Sequence, residues 1–151
     1  MATEKTARAT WEGDLLHGSG HVTTGTGSVD ADMTWAARAE EAEGASPEEL
    51  IAAAHATCVS MALAAGLARA GTPPQRLETE AGTAFEKVGD GFKLTSVRLM
   101  IRGEVEGIDD DAFRAAAEDA KENCPVSQAL KGNVEVSLDA SLASRSPSRS
   151  A

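Results

Sequence analysis

Aromatic residues are nearly missing: they make up 3% of the 151 residues, and there is no Tyr. A surface so poor in rings offers no row of platforms on which bases can stack. Positive charge is short as well, with 14 Lys and Arg against 24 Asp and Glu and a formal net charge of −10. Nucleic acids and anionic membranes would repel such a chain, so neither is expected as a partner. The first residues, MATEKTARATWEGD, lack the apolar run of a secretory signal, which points to the cytoplasm. Cysteine is limited to Cys58 and Cys124. In a reducing compartment these are expected as free thiols, and any disulfide between them would be catalytic or sensing rather than structural. Internal repeats are also lacking, and the length is that of one domain.

What is present reads as alternating strands and helices. Thr6 to Trp11 and His21 to Thr24, separated by Gly13, Gly18 and Gly20, predict a hairpin, which a third extended piece from Ser28 to Trp35 joins. The charged stretch from Arg38 to Ala45 reads as a loop, and a long helix follows over 46–71, stopped by Gly71, Pro73 and Pro74. Gln75 to Lys87 and Phe92 to Glu104 flank a Gly-Asp-Gly turn, with Val97, Leu99 and Ile101 alternating against Ser96, Arg98 and Arg102. Asp109 caps a helix carrying Phe113, Ala116, Ala117 and Ala120, and Pro125 opens a shorter one. Asn133 to Leu142 alternates like a last strand, and the Ser- and Arg-rich residues 143–151 form a polar tail that cannot bury enough surface to order itself. Hairpins and helices in this order predict an α+β fold with an antiparallel sheet.

The long helix, SPEELIAAAHATCVSMALAAGLARAG, has almost no charge beyond Glu49. Ser46 is its N-cap, Pro47 suits the first turn, and Glu49 completes an S-x-x-E capping box. Glu48 has no such task. Ten residues separate it from Cys58, which leaves it about 80° short of three full turns, whereas Glu49 is about half a turn out of phase. Of the two, Glu48 is the one that can serve the thiol; both also favour the positive end of the helix dipole. The helix is long enough to span a bilayer at ~20 residues. His55, Thr57, Cys58 and Ser60 at its middle speak against that, and a helix apolar on all sides is expected to be buried. A small sheet cannot cover it on every side, so a second copy of the chain is expected to do so, giving a homodimer.

His55 and Cys58, at i and i+3, share a face, which raises a Cys–His nucleophile or a metal pair. His17 and His21 add no recognisable zinc spacing, and a packed or capping histidine is the preferred reading. A free cysteine with its pKa near 8.5 is only about 3% thiolate at pH 7, so chemistry at Cys58 needs a nearby cation. Arg69 lies about 16 Å along the helix, whereas Arg38 in the preceding loop is free to fold over the thiol. Glu48 would then hold its guanidinium fork. A solvated pairing of Arg38 with Glu40, Glu41 or Glu43 is the competing reading. Cys124 opens a helix whose unpaired N–H groups would lower its pKa, or it is a small buried hydrophobe.

Taken together, WEGD near the start, Arg38, SPEELIAAAHATCVSMAL and CPVSQAL closely resemble the osmotically inducible protein C family, thiol peroxidases related to the organic hydroperoxide resistance proteins. The likeness runs from about residue 7 to 142, with Ser46 in place of the usual Asn. It implies an OsmC-like fold, a single domain over residues 1–142 in which antiparallel sheet packs on the long central helix of an intertwined homodimer. It also implies that Cys58 is the peroxidatic cysteine and Cys124 the resolving one, with Arg38 and Glu48 as activating residues. The implied activity is reduction of organic hydroperoxides, and more weakly of hydrogen peroxide, through a Cys58 sulfenic acid and a Cys58–Cys124 disulfide reopened by an external thiol or dithiol. No metal, haem or flavin is implied. A redox sensor or a ligand-binding relative without turnover is the alternative. Because Glu48 lies ~15 Å along a straight helix from its own Cys58, the site is expected to be shared across the dimer.

Overall fold

The computed structural model describes residues 2–40 and 43–143. Most of the expected tail lies outside them. The chain divides into two compact units, Met1–Leu50 and Ile51–Ala151.

The first unit is a three-stranded antiparallel sheet in the order β1 (Ala7–Glu12), β2 (Ser19–Thr24), β3 (Asp30–Met33). Trp11 stands opposite Gly20 in the register, and a Cβ there would meet the indole ring at 2.6 Å. The absent side chain is what lets the ring come this close to β2. The expected loop after this sheet is replaced at its start by a short helix, α1 (Trp35–Ala39). Thr34, at its N-cap, accepts the Ala37 N–H at 3.1 Å. That cap gives Arg38 a fixed place in the last turn, where the charged composition suggests loop.

α2 (Pro47–Arg69) begins in the first unit and forms the spine of the second. Ser46 caps it as expected, accepting the Glu49 N–H at 3.1 Å. Thr72 N–H reaches back to Leu67 O at 2.9 Å past Gly71, whose φ of 88° only glycine adopts at little cost. Within the chain α2 is buried along one stripe, His55, Val59, Leu63 and Leu67, and not on all sides. Ala53, Ala54, Thr57, Met61 and Ala65 are exposed. One sheet and two further helices cover one side only, and an all-round alanine composition carries no mark of which side that is. Among the described residues α2 is the one helix long and apolar enough to cross a membrane. Its stripe packs into the protein core instead.

That core is completed by β4 (Arg76–Val88), β5 (Gly91–Glu104), α3 (Asp110–Asn123), α4 (Pro125–Leu130) and β6 (Glu135–Leu142). β4 and β5 form the expected antiparallel hairpin, and Val97, Leu99 and Ile101 of β5 share the core with the α2 stripe and with Phe113, Ala117 and Ala120 of α3. β6 departs from a purely antiparallel sheet by pairing parallel to β5. The two helices between these strands form the crossover that a parallel neighbour requires. Ser60 ties α2 to β4 through a 2.7 Å bond to Thr79 Oγ1.

Gly103 of β5 lies under Phe113: a Cβ would stand 2.5 Å from two ring carbons. The ring is wholly buried and has nowhere to go. Gly103→Ala is therefore expected to destabilise the fold by about 1–3 kcal/mol through overpacking. A thermal melt checks this, with the midpoint falling by several degrees.

Candidate active site

Cys124 sits where α3 ends and α4 begins. Its N–H donates to Ala120 O at 2.9 Å as the C-cap of α3, and its C=O accepts the Gln128 N–H at 3.0 Å as the N-cap of α4. Pro125 makes this junction: it has no N–H to continue α3, and its ring suits the first turn of a new helix. The junction buries Cys124 completely. Cys58, halfway along α2, is partly exposed.

The two thiols are unbonded and near enough to influence one another, and the backbone N–H of Val126 also lies near Cys58. Burial pushes the Cys58 thiol up from its ordinary pKa, and the Cys124 thiol adds to the rise, while the Val126 N–H opposes both. None of these influences is a cation, and on balance they favour the thiol. The α4 N–H thus serves Cys58, where the sequence suggests that this helix start would serve Cys124.

His55 is a packed histidine, in line with the preferred reading of its spacing. It is fully buried one turn before Cys58, and its Nε2 lies 2.7 Å from the hydroxyl of Ser127, one turn after Cys124. Burial holds its pKa below the ordinary histidine value, so the ring is neutral at pH 7. Ser127 escapes sequence reasoning. The matched spacing, three residues from His55 to Cys58 and three from Cys124 to Ser127, is the one signal that points to it.

Arg38 and Glu48 meet in the first unit. The Arg38 fork lies on the carboxylate with Nε–Oε1 at 2.9 Å and Nη2–Oε2 at 3.0 Å. Glu48 is nearly buried and Arg38 about a third exposed, with side-chain exposures of 11% and 35%. The carboxylate raises the guanidinium pKa still further, so this cation is permanent. Arg38 also borders an apolar cavity of about 270 Å³, whose walls include Trp11, Leu15, Val22, Met33 and Trp35.

Two free cysteines near one another, one of them partly open to solvent, are the kind of pair from which thiol chemistry can be built. The sequence pattern of the OsmC-like protein family matches residues 40–139. Over 145 residues the chain is 41% identical to Peroxiredoxin OsmC of Escherichia coli K12, an alignment covering 95% of this chain and 100% of that protein. The crystal structure of the organic hydroperoxide resistance protein OhrB of Bacillus subtilis superposes with a TM-score of 0.71 at 30% identity, covering 89% of this chain and 97% of that one. That of an organic hydroperoxide resistance protein OsmC from Legionella pneumophila gives 0.72 at 28% identity, with 90% and 96% covered. The chain belongs to the OsmC-like protein family. Its enzyme class is that of the peroxidases.

Proposed function

We propose that the protein is a thiol-dependent peroxidase that reduces organic hydroperoxides, and more weakly hydrogen peroxide, to alcohols or water. The observation that carries this reading is the nearness of the Cys58 thiol on α2 to the Cys124 thiol between α3 and α4. In the forward reaction the Cys58 thiolate attacks the outer peroxide oxygen, the O–O bond breaks, and the alkoxide leaves as the alcohol after taking a proton. Cys58 becomes a sulfenic acid. Cys124 then attacks that sulfur, closing a disulfide and releasing water, and an external thiol or dithiol returns both cysteines to thiols.

Because burial disfavours the thiolate, Cys58 needs a cation, and the Arg38–Glu48 pair is the preformed candidate. Glu48 and Cys58 are ten residues apart on one helix, or ~15 Å. The reading therefore takes the pair from the partner in a homodimer, with residues 1–142 working as one OsmC-like domain. The exposed apolar face of α2, with Met61 68% exposed, supports a second copy as its cover. The apolar cavity beside Arg38 supports organic over inorganic peroxides. Free thiols suit a reducing, cytoplasmic setting.

Peroxide consumption tests the proposal. With cumene hydroperoxide and a dithiol, many equivalents per chain are expected to disappear. Consumption of one equivalent and no more would support a redox sensor in place of an enzyme, and none at all would leave the thiols inert.

A further inference from the structure

α2 and α4 meet at two neighbouring places. One is the pair of thiols; the other is the bond from His55 to Ser127, one turn back on α2 and one turn on along α4. The thiol pair does not survive turnover unchanged, because Cys58 changes from thiol to sulfenic acid to disulfide, and nothing in the pair joins the helices at the sulfenic acid stage. The His55–Ser127 bond is untouched by that chemistry. It is also costly to move: His55 is fully buried, and its Nδ1 has no partner among the described residues, so Ser127 supplies its one polar contact. Leaving both ring nitrogens bare in the core would add a further desolvation penalty.

We propose that His55 and Ser127 are positioning residues that hold Cys124 within reach of Cys58, and so set how readily the disulfide closes. The consequence for catalysis rests on the peroxidase reading; the positioning itself does not. With the bond in place Cys124 attacks as a neighbouring group, and bond formation of this kind is sensitive to displacements of about 1 Å. Without it the first turn of α4 is free to drift, and the Cys58 sulfenic acid survives long enough to meet a second peroxide and go on to sulfinic acid.

Equilibration of the full-length protein with reduced and oxidised glutathione measures this without any peroxide. A mixed disulfide forms at Cys58; the Cys124 thiolate attacks that sulfur, the Cys58–Cys124 bond forms, and glutathione leaves as its thiolate. The ratio of protein disulfide to dithiol gives the effective concentration of Cys124 at Cys58. Ser127→Ala is expected to lower it about tenfold. Ser127→Thr, which keeps the hydroxyl, is expected to restore it, and His55→Gln, which keeps a hydrogen-bonding group, to fall between. An unchanged effective concentration in Ser127→Ala overturns the proposal, as does a lower thermal midpoint accompanied by no change in that ratio. A second readout applies once turnover is established: after a pulse of cumene hydroperoxide without reductant, Ser127→Ala should carry several-fold more sulfinic acid at Cys58 than the parent. If the parent shows the glutathione behaviour but consumes no peroxide, the peroxidase reading fails and the positioning role stands.

Discussion

Cys58→Ser is expected to reduce peroxide consumption to that of the reductant alone, while Cys124→Ser retains one rapid turnover per chain and then stops. The two thiols are neighbours, yet their proposed roles differ because their surroundings do. Cys58 is partly exposed on the flank of a long helix, where a peroxide can reach it; Cys124 has no exposed surface at all. A hydroxyl is both a far weaker nucleophile than a thiolate and ionised only at much higher pH, so serine cannot stand in for the attacking group. Losing Cys124 leaves the attack intact but removes the nucleophile that clears the sulfenic acid. In that variant, stoichiometric loss of peroxide followed by accumulation of sulfinic acid on Cys58, read by intact-mass spectrometry, is the expected record. Sustained turnover by Cys58→Ser would put the chemistry elsewhere in the chain.

Arg38→Met is the second large expected loss. A cation within hydrogen-bonding range lowers a thiol pKa by roughly 1–3 units, so its removal should cut the rate at pH 7 by about 10- to 1,000-fold. The sign of the pH dependence follows: with the cation gone the thiol ionises later, and the variant's rate should climb about tenfold per pH unit until it meets that higher pKa. Arg38→Met also strands the nearly buried Glu48 carboxylate. Arg38→Met with Glu48→Gln is therefore expected to be less damaged than Arg38→Met alone, a non-additive result that a pair acting as a unit predicts. Mixing tests the location. Heterodimers of a Cys58→Ser chain with an Arg38→Met chain contain one intact thiol and one intact cation on different chains. If the partner supplies the cation, they recover about one good site per pair; absence of recovery would place Arg38 on the same chain as the thiol it activates.

The residues that punctuate the chain are legible in its sequence. Ser46 and Glu49 mark where α2 begins, Gly71 where it ends, and Asp109 the start of α3, because caps and left-handed residues act locally. Helical phase separates Glu48 from its neighbour, and in the fold its carboxylate lies on Arg38 while Glu49 lends its N–H to Ser46. α1 is not legible. Five residues are too few for a helical period to declare itself, and the acidic residues that follow mask it. The parallel pairing of β6 is equally hidden because alternation reads the same in either direction; only the length of the helical crossover distinguishes the two. The contacts that join His55 to Ser127 and Cys58 to Val126 bring together residues about 70 positions apart, which no local pattern encodes. The near-absence of aromatics, which speaks against nucleic acid, leaves Phe113 as the one phenyl ring among the described core residues and makes a glycine beneath it necessary.

Cys124 is locked by its backbone on both sides, its N–H spent on α3 and its carbonyl on α4. What remains free at this residue is rotation about a single side-chain bond. A redox pair whose sulfurs lay far apart would have to melt a turn before they could meet, and each cycle would then cost it structure. Here the proposed cycle asks Cys124 to close on Cys58 with its side chain, from a backbone anchored to two helices at once.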